Sequence, residues 1–131
     1  MNKSLHITES GKLLAIYIPS NFERGPGISF LTGDSSEFQL GLMRREQGYV
    51  IPEHTHQPIR RETNHTSEFL WIREGRVKVS LRHEGKTREL IMESGDAILF
   101  FGGTHGFEML EDSEILEVKQ GPYLGREIDK E

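Results

Sequence analysis

Three histidines and one glutamate in this sequence have the side chains and the spacing of a metal site. His54 and His56 are separated by one residue, and residues two apart on a β-strand point to the same face. Glu68 follows after the loop 57–67, and His105 follows much later in the chain. If strands from both segments line one small barrel, we expect these four side chains to meet. Three neutral imidazoles and one carboxylate suit a divalent transition metal with positions left open for water or substrate.

Two alternatives to this metal site stay open at the level of the sequence. The four residues could be ordinary polar side chains that local hydrogen bonds satisfy. His65, three residues before Glu68, is the substitute ligand if His105 is displaced. The chain has no cysteine, so thiolate ligands are excluded, and the remaining ligand types suit iron, nickel, manganese, zinc or copper without choosing among them.

Three further residues are candidates for binding a substrate. Arg60 and Arg61 lie in the loop between His56 and Glu68, and arginine is suited to bidentate contacts with a carboxylate or phosphate. Phe107 is two residues after His105 and therefore shares its face of a strand. We expect Phe107 to line the pocket.

The composition narrows the class of protein. A chain of 131 residues is long enough for one domain with a core, so we expect a single domain over residues 1–131. The net charge of −5 argues against a nucleic-acid partner. No apolar run approaches the roughly 20 residues of a membrane helix, and the N-terminus lacks the apolar region of a secretory signal. With no cysteine to form disulfides, these features predict a cytoplasmic protein with no membrane partner.

The hydrophobic pattern predicts β-strands almost throughout the chain. Short runs rich in isoleucine, leucine, valine and phenylalanine alternate with turn-forming residues, which favours an antiparallel sandwich or barrel with little helix. His83-Glu84-Gly85-Lys86 is typical of a tight hairpin, and one helical turn is expected only near residues 125–130. The predicted strands are 13–18, 27–31, 37–43, 68–72, 76–81, 88–92, 96–101 and 114–119.

The spacing of the glycines and the metal-site residues resembles the two paired motifs of the cupin superfamily. The resemblance covers about residues 37 to 119, with two departures: the loop 57–67 is longer than usual, and Phe101 stands where proline is common. Residues 1–36 would be N-terminal strands that extend the barrel or a dimer interface. The matching residues are Gly48, His54, His56, Glu68 and Gly75 in the first motif, and Gly95, Gly103 and His105 in the second.

The resemblance to cupins implies a fold and a range of functions. Cupins are jelly-roll β-barrels that usually hold one metal through three histidines and one glutamate, which gives His54, His56, Glu68 and His105 here. A metal-dependent dioxygenase, or an isomerase or epimerase, acting on a sugar, sugar phosphate or carboxylate is one expectation. A non-enzymatic module that binds a sugar or other small ligand is the other. The tail 117–131 is similar to the end of the cupin domain in type II mannose-6-phosphate isomerases.

The family resemblance also implies a homodimer. The apolar runs 13–18 and 27–31 could extend the sheet of a partner subunit and bury edges that would otherwise be exposed.

Overall fold

The computed structural model describes residues 5–23 and 25–129, except for the side chain of Asp129. Residues 1–4, 24, 130 and 131, which belong to the predicted single domain, lie outside the described part. The described chain folds into antiparallel β-strands and one short helix, so the prediction of an all-β fold with little helix is confirmed. Its elements are β1 Leu5–Glu9, β2 Lys12–Ile18, β3 Gly27–Phe30, β4 Gly41–Arg44, β5 Glu68–Glu74, β6 Arg76–His83, β7 Lys86–Glu93, β8 Ala97–Phe100, β9 Thr104–Met109, β10 Glu114–Lys119 and α1 Arg126–Asp129.

The strands form three antiparallel sheets. The largest has the order β1-β2-β8-β5-β10, the second has the order β7-β6-β9, and β3 pairs with β4 in a separate hairpin. Within the described ranges the strand pairings do not close these sheets into one barrel. Both edges of β2 are paired, with β1 on one side and β8 on the other. The interpretation that the run 13–18 extends a partner's sheet is therefore wrong.

The main core lies between the five-stranded and the three-stranded sheet. Most strands contribute alternate residues to this space, as the period of two in a β-strand requires, whereas β2 contributes the adjacent residues Leu14 and Ala15. Valine and leucine side chains of β6 are fully buried against the facing sheet. This core consists of Ile7, Leu14, Ala15, Leu70, Ile72, Val77, Val79, Leu81, Met92, Ile98 and Phe100.

A second apolar cluster covers the opposite face of the five-stranded sheet, here called the outer face. Ile16, Ile18 and Ala97 are buried there beneath side chains from the segment 22–42, which includes β3 and the first half of β4. The segment 22–42 does not cover the outer face completely near β10, the edge strand. Three side chains there remain exposed: Trp71 by 38%, Leu116 by 51% and Val118 by 51%.

Turns between the strands use the residues that the sequence indicates. Glu84 and Gly85 have φ angles of 50° and 77°, the pair of positive values that a two-residue hairpin favours. Gly75, with φ of 109°, joins β5 of one sheet to β6 of the other. A Cβ at this position would overlap the Ser113 hydroxyl and lie 2.7 Å from the Asp112 carbonyl oxygen, so only glycine fits.

The segment 45–67, between β4 and β5, departs most from the sequence prediction. It contains no strand, and every residue from 45 to 66 is exposed. Pro52 and Pro58 flank the two histidines, and proline cannot donate to a strand ladder. The expectation that His54 and His56 lie on a strand is therefore wrong.

Within the residues that the structure covers, no helix has the length and apolar character needed to span a membrane.

Candidate functional site

Two of the four predicted metal ligands, Glu68 and His105, meet between the sheets. Glu68 is the first residue of β5 and His105 is the second residue of β9. The His105 Nε2 atom lies 3.7 Å from the Glu68 Oε2 atom, and both side chains are largely buried. Their register partners explain the meeting: Glu68 is opposite Phe100 and His105 is opposite Leu81, both of which belong to the main core. The two sheets thus bring together residues 37 positions apart in sequence.

Aromatic rings fix the orientation of His105. The Phe100 ring stacks on the imidazole with centroids 4.2 Å apart and planes 14° apart. The Phe107 ring lies 5.6 Å from the imidazole and packs edge-on against Phe100. The prediction that Phe107 shares the face of His105 is confirmed, while its role in substrate binding stays a prediction.

The site also contains Glu117 and Lys119, which the sequence analysis missed. Lys119 is the register partner of Glu68, and Glu117 is the partner of Leu70, so both residues of β10 lie on the same face of the sheet as Glu68, with the Glu117 side chain 45% exposed. The Lys119 Nζ atom lies 3.9 Å from the Glu117 Oε1 atom. In the sequence, Leu116 and Val118 alternate with these charged residues, which indicates that Glu117 and Lys119 share a face of a strand but not which strand they meet.

Neighbouring groups lower the pKa of the Glu68 carboxyl below its usual value. The His105 imidazole, whose Nε2 atom lies 3.7 Å from the carboxylate, is the main cause, and the Glu117 side chain and the charge of Lys119 act in the same direction. Burial opposes these effects. Glu68 is therefore held as a carboxylate, the form that can bind a cation or accept a proton.

His54 and His56 form a second pair, separate from the first. Their ring centroids are 5.1 Å apart, and the His54 Nδ1 atom hydrogen-bonds the Pro52 carbonyl oxygen at 2.8 Å. Both lie in the exposed segment 45–67. Across residues 5–23 and 25–129, no three or more histidine, aspartate or glutamate side chains are grouped closely enough to hold a metal. The structure thus brings together Glu68 and His105, but not all four predicted ligands.

The remaining candidates of the loop lie outside this pair. The Arg60 Nη2 atom is 3.0 Å from the Glu62 Oε1 atom, and both side chains are mostly exposed. Arg61 is exposed as well. The backbone carbonyl of His65 accepts a hydrogen bond of 3.3 Å from the Gln120 side chain, and His65 lines a pocket with Lys119.

The Glu68–His105 pair can perform two kinds of chemistry. A carboxylate and an imidazole are ligands for a divalent cation, and the same groups can accept and return a proton to a bound molecule. The stacked Phe100 ring limits the motion of His105, which favours a defined geometry.

Comparisons with protein-family models, with curated proteins and with solved structures gave no match. The resemblance to cupins therefore rests on the motif residues of this chain.

Proposed function

We propose that this protein is a cupin-type jelly roll that holds one divalent metal through Glu68, His105, His54 and His56 and acts on a small molecule there. Two antiparallel sheets with the main core between them support the proposed architecture. Conversion of the molecule is favoured over simple binding because Glu117 adds a second carboxyl group beside Glu68, and acid–base chemistry needs such groups.

The contact between Glu68 and His105 is the observation that carries the proposal. Metal–ligand distances of about 2.1 Å place two ligand atoms of one tetrahedral ion roughly 3.4 Å apart. The Nε2–Oε2 distance of 3.7 Å is close to this separation, and it is longer than an ordinary hydrogen bond of about 2.9 Å. The spacing of the two donor atoms supports an ion shared between them.

The other two ligands must come from the exposed segment 45–67. Imidazole side chains can bind a metal, but His54 and His56 lie in the exposed segment and not beside Glu68 and His105. Twelve positions separate His56 from Glu68, enough chain to reach about 40 Å when extended. Because the segment pairs with no strand, folding it over the Glu68–His105 pair breaks no sheet hydrogen bonds. When bound, the metal would supply a Lewis acid that polarises an oxygen of the bound molecule.

Elemental analysis of purified variants tests the metal site. We expect about one divalent ion per wild-type chain, and a loss of affinity of at least about tenfold in Glu68→Gln, His105→Ala and His54→Ala. His83→Ala is the matched control, because His83 lies at the β6–β7 turn beside Glu84. If the wild type takes up no divalent ion under any loading condition, the proposal fails. If His65→Ala loses the metal and His105→Ala retains it, the fourth ligand comes from the loop.

Hydrogen exchange tests whether the segment closes. Adding the metal should slow amide exchange across residues 50–60 in the wild type and leave it unchanged in His54→Ala. Unchanged exchange in a metal-loaded wild type would show that His54 and His56 are not ligands.

A further inference from the structure

Gln120 lies where the pairing of β5 with β10 ends, next to the candidate site. The last register pair of these antiparallel strands is Glu68 with Lys119. β5 begins at Glu68 and β10 ends at Lys119, so the next pair in this register, Ser67 with Gln120, lies just beyond the ladder. Gln120 is therefore opposite the residue that directly precedes Glu68.

The side chain of Gln120 continues the hydrogen bonding of the sheet beyond this last pair. Its Oε1 atom accepts a hydrogen bond of 2.8 Å from the Ser67 backbone N–H, and its Nε2 atom donates one of 3.3 Å to the His65 carbonyl oxygen. A carboxamide has the same donor and acceptor types as a peptide group. One side chain thus bonds the backbone of residues 65–67 as a neighbouring strand would.

Ser67 depends on this hydrogen bond because it is where the chain enters the folded body. Every residue from 45 to 66 is exposed, whereas Ser67 is only 2% exposed. A buried backbone N–H requires a partner, and leaving one unpaired is costly. Without the Gln120 side chain, Ser67 would have to move toward water, and Glu68 beside it would move as well.

Of the two residues that meet between the sheets, Glu68 needs this support more than His105 does. The Phe100 ring stacks on His105 with centroids 4.2 Å apart. Glu68, in contrast, is the first residue of its strand, and the ends of elements open most readily. The distance of 3.7 Å between the Glu68 Oε2 and His105 Nε2 atoms therefore depends on how firmly the start of β5 is held.

We propose that Gln120 is a positioning residue of the candidate site. By fixing the backbone at Ser67, it holds the Glu68 carboxylate beside the His105 imidazole. Groups that orient a metal ligand commonly affect metal affinity strongly although they do not bind the metal themselves. The inference rests on the proposed function in one respect, since it names a residue on which the metal site depends, but the positioning itself can be measured without metal.

The first test compares Gln120→Met with Gln39→Met in metal-free protein. Methionine keeps the length of the side chain and removes its amide hydrogen bonds. Gln39 is the matched control, because its side chain accepts a hydrogen bond of 3.0 Å from the Thr32 hydroxyl and donates one of 2.9 Å to the Gly33 carbonyl, just before β4.

Amide hydrogen exchange and the nuclear Overhauser effect (NOE) provide the measurements on these two variants. In Gln120→Met, exchange at Ser67 and Glu68 should be at least about tenfold faster than in wild type, and the NOE between the His105 ring and the Glu68 side chain should weaken. Gln39→Met should change neither. Wild-type exchange in Gln120→Met, or exchange accelerated equally in all strands, would overturn the inference.

A second variant separates the two hydrogen bonds of Gln120. Gln120→Glu keeps an acceptor for the Ser67 N–H and loses the donor to His65. Exchange at Ser67 and Glu68 should therefore stay closer to wild type than in Gln120→Met. Exchange at these two amides as fast as in Gln120→Met, or as fast as in an unfolded chain where Gln120→Met does not fold, would overturn the role assigned to the Ser67 bond.

Zinc affinity then connects the positioning to the metal site. We expect Gln120→Met to bind Zn²⁺ about tenfold more weakly than wild type, and Gln39→Met to bind it with unchanged affinity. Undiminished zinc affinity in Gln120→Met would overturn the inference. A wild type that binds no zinc would overturn the proposed function instead, and hydrogen exchange and the NOE would still decide whether Gln120 positions Glu68.

Discussion

Asp96 shows how one buried carboxylate can hold several parts of a fold. It accepts hydrogen bonds from the Ser20 backbone N–H at 2.8 Å, the Glu93 backbone N–H at 2.8 Å and the Tyr17 hydroxyl at 3.1 Å. These partners belong to β2, to the chain after it and to the end of β7. Asp96, which follows the motif residue Gly95, therefore has a structural role.

Tyr17 gives a pH-dependent prediction. Burial and the neighbouring Asp96 raise the pKa of Tyr17 from 10.0 to about 12. The folded protein thus holds the phenol proton more tightly than the unfolded chain does. This contribution to stability is complete below pH 10 and is lost as the pH rises toward 12.

Denaturation in urea between pH 9 and pH 12 measures this loss. The free energy of unfolding of wild type should fall more steeply over the upper part of this range than that of Tyr17→Phe. The difference in tyrosinate absorbance between the two proteins should titrate near pH 12. A difference that titrates at pH 10 would contradict the prediction.

At the candidate site, the sequence predicted which types of residue are present better than it predicted where their side chains lie. His105 and Phe107 were assigned to one face because strand parity is a local property, and the structure agrees. Glu117 and Lys119 were missed because their importance depends on β10 pairing with β5, a contact between distant segments. No local pattern reports such a pairing.

Strands with regular alternation were predicted well, and irregular ones were not. The run 76–81 alternates apolar and polar residues, and it lies within β6. β1 was missed because Ile7 is its one buried residue, too little for a recognisable pattern. β9 was missed because Gly106 interrupts the pattern of side chains in this strand. A Cβ at Gly106 would meet nothing within 4 Å. The predicted strand 37–43 is observed only from Gly41, since the Gln39 side chain hydrogen-bonds the turn at Thr32 and Gly33.

The turn at Gly75 supports a prediction about stability. Gly75→Ala adds a Cβ in a left-handed conformation and against the chain at residues 112 and 113. We expect a loss of about 3 kcal/mol in the free energy of unfolding. Gly33→Ala is the control, because a Cβ there meets nothing within 4 Å and should change stability by less than about 1 kcal/mol. Equal stability of the two variants would show that the turn tolerates side chains.

At the scale of the whole molecule, we predict a homodimer whose interface lies on the outer face of the five-stranded sheet, beside β10. The exposed residues Trp71, Leu116 and Val118 lie on the outer face beside β10, an edge strand. Light scattering at micromolar concentration should give twice the 15.0 kDa mass of the chain. The double variant Leu116→Glu/Val118→Glu should be monomeric, while Ile91→Glu on β7 should remain a dimer. A monomeric wild type would contradict the prediction.

A cut within the exposed part of the segment 45–67 would break the chain in two, but the two parts would stay together in the folded structure. Arg60 and Arg61 lie in unpaired, exposed backbone, so trypsin should cut there well before it cuts arginines within the strands. The amino-terminal fragment would carry β1 to β4 and the carboxy-terminal fragment β5 to β10, yet β2 hydrogen-bonds β8 across the cut. The nicked protein should therefore elute from gel filtration as one particle and separate into two fragments only in denaturant. Two fragments expressed as separate polypeptides should, by the same pairing, reassemble when mixed.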